Sequence, residues 1–361
     1  MEATAGDGQE LNYIQSCLEA YDISAIQASI DSLFPSFDVS ADELLSLILQ
    51  GQVAEAFRIL FGQVSGSLFG ELAGMKQIFL YILVLGVVSA LFSGFSDLFA
   101  GQQIAQAGFY FLYLFLMVIL TKVFLFVSGI ATTAVGSIVL FIKLFIPTYF
   151  LAVGAAQGTA TALYYYQLML LIAYLVESFL STVLIPFIYS YVMLALLNGL
   201  WAEEKLTLLL DFIKKGIVLA LKVSMGAVTG LSLIQAVIVP ALDRLKISAL
   251  RKAVSSIPGI GGVAEGVAEL VLGSAVLIKN SMGVLFLVVL LGACLLPLGK
   301  ILVVTGVIKM GAAVTGIVSD KRISTCTDRV GEGCFLLFRC VFTSIFLFVI
   351  VIAVVAYTIS A

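Results

Sequence analysis

The sequence predicts an all-α, polytopic membrane protein of about seven transmembrane helices, within a range of six to eight, since one crossing takes roughly 20 apolar residues. Two observations carry that fold class. The blocks 77–96, 98–121, 123–142, 144–176, 178–202, 223–242, 280–299 and 340–361 contain no Asp, Glu, Lys or Arg, and each holds 20 or more residues. The chain as a whole is 61% hydrophobic and 11% charged, with a mean hydropathy of +1.17. A soluble protein of this length cannot hide so much apolar surface, because burial saturates with size and a surface needs polar cover. Lipid is the expected solvent for residues 76–361, a multi-pass transmembrane domain. Broken or re-entrant helices and an interfacial helix are expected within it.

Residues 1–75 read as a separate, small extramembrane helical segment. It carries eleven acids, from Glu2 to Glu71, against the single base Arg58, whereas the rest of the chain carries 18 Lys and Arg against 11 acids. Basic residues are retained on the cytoplasmic side and acids count for little, so the acidic segment is expected outside the cytoplasm. Export needs a signal, yet Met1 is followed by Glu-Ala-Thr-Ala-Gly-Asp-Gly without an apolar core. Either a signal peptide has been cleaved, which is the favoured expectation, or the 77–96 span carries the segment across. Ser40 stands three residues before Glu43 and ahead of Leu44, Leu45, Leu47, Ile48 and Leu49, a capping-box pattern at a helix start. Pro35 separates this helix from an earlier stretch around residues 14–33. Helices this short should pack on a partner, on each other or on the membrane surface.

Past Lys76 the chain reads as spans and breaks. Residues 77–96 form the first span, and 104–126 with 133–153 a helical hairpin bent at Ser128, Gly129, Thr132 and Thr133. Lys122 and Lys143 then sit near span ends and can snorkel. The region 160–201, with Glu177 and Pro186, is one kinked helix or two tight spans. Trp201 to Lys215 alternates charged and apolar residues as an interfacial helix does, and a span follows over 217–241. The basic loop 243–252 is weakly preferred as cytoplasmic.

Pro258, Gly259, Gly261 and Gly262 then break the chain before an apolar stretch ending at Lys279 and Asn280. A re-entrant element lining a protein-walled cavity fits this pattern better than a lipid-facing span. Residues 281–304 and 305–318 form another hairpin, 320–332 a polar loop, and 334–360 the last span.

The absence of histidine removes His-based acid–base catalysis, Ser-His triads and His metal ligation together. Cys17, Cys294, Cys326, Cys334 and Cys340 have no paired metal-binding spacing. No enzyme, cofactor or nucleic-acid partner is expected. Glu177, Lys279, Asn280, Lys300, Lys309 and Arg339 lie in or beside apolar blocks, where a charge costs roughly 3 kcal/mol or more unless paired or wetted. They are the candidates for a polar pathway, for pairing between helices, or for snorkelling.

The runs Leu245 to Val254, Ile257 to Gly262 and Leu277 to Gly283, with Leu68-Phe69-Gly70-Glu71-Leu72 and Glu204-Lys205-Leu206-Thr207-Leu208-Leu209, resemble the stage III sporulation protein AE family of endospore-forming bacteria. The resemblance covers most of residues 40–335. It implies a non-enzymatic integral component of a sporulation-specific channel, resembling specialised secretion systems, in the mother-cell membrane around the forespore. Implied partners are other membrane and ring-forming proteins, a secretion-type ATPase indirectly, membrane lipid and further copies of this chain. The family also carries a signal peptide in its precursor, which implies that this chain is a mature form. Two other roles stay open from the residues: an autonomous secondary transporter, suggested by Pro-broken helices and a weak repeat between 104–153 and 257–304, and a passive assembly platform for ring proteins.

Overall fold

A computed structural model of the chain describes residues 52–98, 102–156, 171–201, 205–254, 294–317 and 320–360, with Gln27, Ser40, Glu43, Leu44, Ser46 and Leu47. The chain divides into two compact units, Met1–Gly62 with Ile260–Ala293, and Gln63–Gly259 with Cys294–Ala361. In the first unit Ser40 caps a helix as its sequence pattern predicts. Its Oγ accepts the Glu43 N–H at 3.4 Å, and its carbonyl accepts the Leu44 N–H at 3.1 Å. Leu44, Ala56 and Leu60 are buried there. The earlier stretch around 14–33 lies outside the described residues, Gln27 apart.

The second unit is built on α1 (Val53–Leu98, which begins in the first unit), α2 (Gln102–Ala156), α3 (Leu171–Asn198), α4 (Thr207–Val254), α5 (Cys294–Ile317) and α6 (Lys321–Ser360). No strand occurs among the described residues. Four helical segments, Gln106–Leu140, Leu171–Asn198, Cys294–Ile317 and Lys321–Ile350, are long and apolar enough to cross a membrane. The exposed surface of these segments is as apolar as their packed face. On α2, for example, Phe109, Tyr113, Leu116, Leu120 and Phe124 are buried while Phe111, Leu114, Phe115 and Val118 are exposed, the pattern of a helix solvated by hydrocarbon.

Cross-helix contacts give the direction of each helix. The Phe109 ring lies under Arg322, Tyr113 reaches Cys326 and Phe124 approaches Gly333, so α2 runs parallel to α6. Asp211 meets Arg329 and Lys214 meets Glu332, which makes α4 parallel to α6 as well. Against these, Tyr191 meets Glu332 and Glu177 meets Ser344, so α3 is antiparallel to α6. Lys309 meets Asp328 and Ala312 accepts from Ser324, which makes α5 antiparallel too. Leu68 against Gly299 and Ile82 against Gly311 align α1 with α5. The six helices therefore form three hairpins, α1–α2, α3–α4 and α5–α6, with their connections at one end of the bundle.

Several breaks expected from the sequence are absent. Residues 102–156 make one helix without a break at Ser128 to Thr133, and Ser128 is fully buried. Gly129 weakens a helix by only about 1 kcal/mol. Opening the backbone in apolar surroundings would leave N–H and C=O groups unsatisfied at several kcal/mol each, so continuity wins. The proposed interfacial helix and the 217–241 span are likewise one helix, Thr207–Val254, running through Pro240. The hairpin expected over 281–318 is, from Cys294 onward, the single helix α5. The expected polar loop 320–332 is the start of α6.

Of the two options the sequence left for 160–201, the described residues 171–198 form one continuous helix and not two spans. A π turn at Leu180–Leu184 widens it just ahead of Pro186, with the Ile185 N–H bonded to the Leu180 carbonyl. The ring of Pro186 thereby enters a fresh helical start instead of colliding with the preceding turn. The expected re-entrant break at Pro258, Gly259, Gly261 and Gly262 lies outside the described residues, as do Lys279 and Asn280.

α6 approaches α3 closely at Gly333, where a Cβ would collide with Val192. At Gly306 on α5 nothing lies within 4 Å of a Cβ. Alanine improves helix propensity at either site by about 1 kcal/mol, whereas overpacking costs about 1–3 kcal/mol. Gly333→Ala should therefore lower the thermal unfolding midpoint of the purified protein and Gly306→Ala should hold or raise it. Equal midpoints for the two variants would contradict the close α3–α6 contact.

Candidate functional site

The first turns of α6 carry a dense run of charge, and Asp320, Arg322, Asp328, Arg329 and Glu332 there are each met by a neighbouring side chain. Asp320 begins the helix as its N-cap, its Oδ1 accepting the Arg322 N–H at 2.9 Å. Its carboxylate also holds the Arg322 guanidinium, with Nη2 to Oδ2 at 3.1 Å. Partial burial disfavours the charged form of Asp320, but the hydrogen bonds and charge of Arg322 outweigh this and hold the carboxyl below the usual carboxylate range. Arg322 in turn stacks on Phe109 of α2, 3.6 Å from the ring centroid.

About two helical turns further, the pairs cross between helices. Asp328 accepts from Lys309 Nζ of α5 at 2.6 Å. Arg329 Nη1 donates to Asp211 of α4 at 3.4 Å. Glu332 receives two donors, Lys214 Nζ of α4 at 2.7 Å on Oε1 and the Tyr191 hydroxyl of α3 at 2.9 Å on Oε2. The Asp211–Lys214 and Arg329–Glu332 spacings are equal and their signs reversed, so two parallel helices match acid to base twice in one register.

The neighbouring turn is tied in by neutral groups. The Tyr113 hydroxyl of α2 donates to the Leu196 carbonyl at 2.7 Å and lies 3.0 Å from Cys326 Sγ. Gly199 is required beside it, since a Cβ there would meet the Tyr113 hydroxyl. Asn198 Oδ1 accepts the Leu206 N–H at 2.8 Å and closes the α3–α4 connection.

Glu177 forms a second, separate polar site within the bundle. It is fully buried on α3, three residues before the π turn. Its Oε2 accepts from Ser344 Oγ of α6 at 2.5 Å, and Oε1 has no hydrogen-bond partner. Cys294 and Cys340 lie within electrostatic reach of this carboxyl.

Of the residues singled out from the sequence, Glu177 links α3 to α6 and Lys309 links α5 to α6. Lys300 is half-buried on α5 and engaged with a partner, while Arg339 is exposed with its guanidinium 4.7 Å from the Phe335 ring centroid. These four do not converge on one point. Sequence reasoning missed Glu332, Lys214, Asp211, Arg329 and Tyr191, although the mirrored charge spacings were available as a signal.

Magnitudes separate these pairs. Lys309 and Asp328 keep 36% and 48% of their side-chain surface exposed, where an ion pair is worth about 1 kcal/mol or less. Glu332 is only 25% exposed and holds two donors, and hydrogen bonds to a charged group are worth about 1.5–3 kcal/mol. Glu332→Ala should therefore lower the thermal midpoint more than Asp328→Ala, and Lys214→Glu combined with Glu332→Lys should recover part of the loss. A swap no better than the single Glu332 variant would show that the pairing does not hold α4 to α6.

Comparison with known proteins places this architecture in a family. No solved structure matches the chain. Stage III sporulation protein AE of Bacillus subtilis (strain 168) is 18% identical over 272 residues, covering 75% of this chain and 68% of that protein. The sequence profile of stage III sporulation protein AE matches residues 39–358, which take in α1 to α5 entire and nearly all of α6. The chain belongs to the stage III sporulation protein AE family.

Proposed function

We propose that this sporulation protein is a non-enzymatic, multi-pass membrane core of the channel complex joining mother cell and forespore, working as an oligomer with ring-forming partners. The supporting observation is the charged layer at the hairpin end, where α6 is tied to α2, α3, α4 and α5 at once. Such cross-bracing suits a rigid wall that other subunits assemble on. The absence of histidine from the chain agrees with a role that needs no acid–base chemistry.

The acidic segment 1–75 faces the space between the two membranes in this proposal. Alternation of the helices then puts the three hairpin connections on the mother-cell cytoplasmic side, where Lys205, Lys214, Lys215, Lys309, Lys321, Arg322 and Arg329 cluster in accord with the positive-inside rule. The end of α4, with Arg244 to Lys252, falls on the opposite side. That runs against the weak cytoplasmic preference of its basic residues, and the alternation of six helices outweighs it.

A second reading, an autonomous secondary transporter, draws on one specific observation. Glu177 is a carboxyl buried within an apolar segment with an unpartnered oxygen, a feature of intramembrane ion pathways. The two readings separate on Glu177→Gln, tested in sporulating cells at matched protein level, together with affinity purification of the tagged chain. A channel core should keep heat-resistant spore counts close to those of the parent and should co-purify as an oligomer with ring proteins. A lone monomer together with loss of spores in the Gln variant would overturn the channel reading in favour of the transporter.

A further inference from the structure

On α4, Asp211, Lys214, Lys215, Val218, Leu219 and Lys222 line an open groove of ≈ 640 Å³. Their spacing of three, one, three, one and three residues puts all six on one helical face. Two of the charges in the groove are already committed. Asp211 is held by Arg329 and Lys214 by Glu332, so the acid is drawn toward α6. Lys215 and Lys222 are exposed and form no ion pair among the described residues. The groove is thus left with uncompensated positive charge.

Beside the lysines runs a second stripe of exposed apolar side chains, Leu208, Phe212, Leu219 and Val223, of which Leu208 and Phe212 are 84% and 74% exposed. Phe212 and Leu219 each precede a free lysine, Lys215 or Lys222, by three residues, so charge and hydrocarbon alternate across a narrow strip of one helix. The stripe begins next to the α3–α4 connection, where the chain's one tryptophan, Trp201, is exposed. Tryptophan favours the level of lipid headgroups. A lysine beside apolar surface lays its stem along that surface and presents its ammonium to phosphate.

We propose that this groove binds an anionic phospholipid, with Lys215 and Lys222 holding the headgroup phosphate and the Leu208–Phe212–Leu219–Val223 stripe covering the acyl chains. Charge complementarity selects the headgroup. The adjacent apolar stripe selects a lipid over a free phosphate or an acidic protein segment, neither of which would cover it. The site does not depend on the channel reading, since it needs only α4 as placed.

The test is native mass spectrometry of the full chain in detergent with equal amounts of dioleoyl phosphatidylglycerol and dioleoyl phosphatidylcholine. Retained phosphatidylglycerol should exceed phosphatidylcholine about tenfold, and Lys215→Gln with Lys222→Gln should cut that preference to about twofold or less, because juxtamembrane basic residues are what draws an anionic headgroup. Lys215→Arg with Lys222→Arg should keep it, Lys122→Gln on α2 should leave it unchanged, and Phe212→Ser should weaken retention of both lipids. The proposal fails if the double Gln variant retains phosphatidylglycerol like the parent, if the parent shows no preference, or if inorganic phosphate at millimolar concentration displaces the lipid.

Discussion

Charge packed inside a helical bundle has to be met by charge or by a hydrogen bond, and the first third of α6 carries such charge against four other helices. Asp328, Arg329 and Glu332 fall within five residues, on a helix whose other side chains at this level, Ile323, Cys326, Val330 and Cys334, are buried. An isolated half-buried charge would cost several kcal/mol. The bundle answers by bringing a complementary group from a different helix to each. Because Glu332 draws Lys214 from α4 and Tyr191 from α3, the α3–α4 hairpin is fixed against α6 by a single carboxylate. Asp328 fixes α5 in the same way, and Arg322 fixes α2 through the Phe109 ring.

Small residues make the other half of the arrangement possible. Helices solvated by hydrocarbon gain nothing from hiding apolar surface, so their association rests on close packing and on polar contacts. Gly333 lets Val192 and Phe124 reach the α6 backbone, Gly331 seats the Lys309 stem, Gly311 receives Ile82 and Gly299 receives Leu68. The glycines near the charged layer and the ion pairs serve each other. A Cβ at Gly331 would sit 3.1 Å from the Lys309 stem, which would have to shift outward on its way to Asp328.

Much of the fold was legible in the sequence, and the parts that were not share one cause. Helical class and the presence of several membrane-length segments follow from the charge-free blocks, and Ser40 caps its helix as its spacing indicates. Helix ends are hidden in the sequence where polar residues continue a helix. Residues 320–332 contain six charges and resemble a solvent-exposed turn, yet they are helical because their partners sit on other helices. Ser128 to Thr133 suggested a bend, but in apolar surroundings an intact hydrogen-bond ladder is worth more than local propensity. Sidedness of the helices was also hidden, since α2 is apolar on both its packed and its exposed face. Single charges in apolar blocks drew attention to Glu177 and Lys309. The mirrored Asp211–Lys214 and Arg329–Glu332 pairs went unnoticed because each pair alone looks like an ordinary surface couple.

Three hairpins joined at one end require the α3–α4 and α5–α6 connections to lie on the same side of the membrane. Single cysteines at Trp201 and at Asp320, in a background cleared of the five native cysteines, can be probed with an impermeant maleimide before and after the membrane is opened. Both positions should label from the same side. Labelling from opposite sides would dismantle the hairpin arrangement, and with it the charged layer that holds the bundle together.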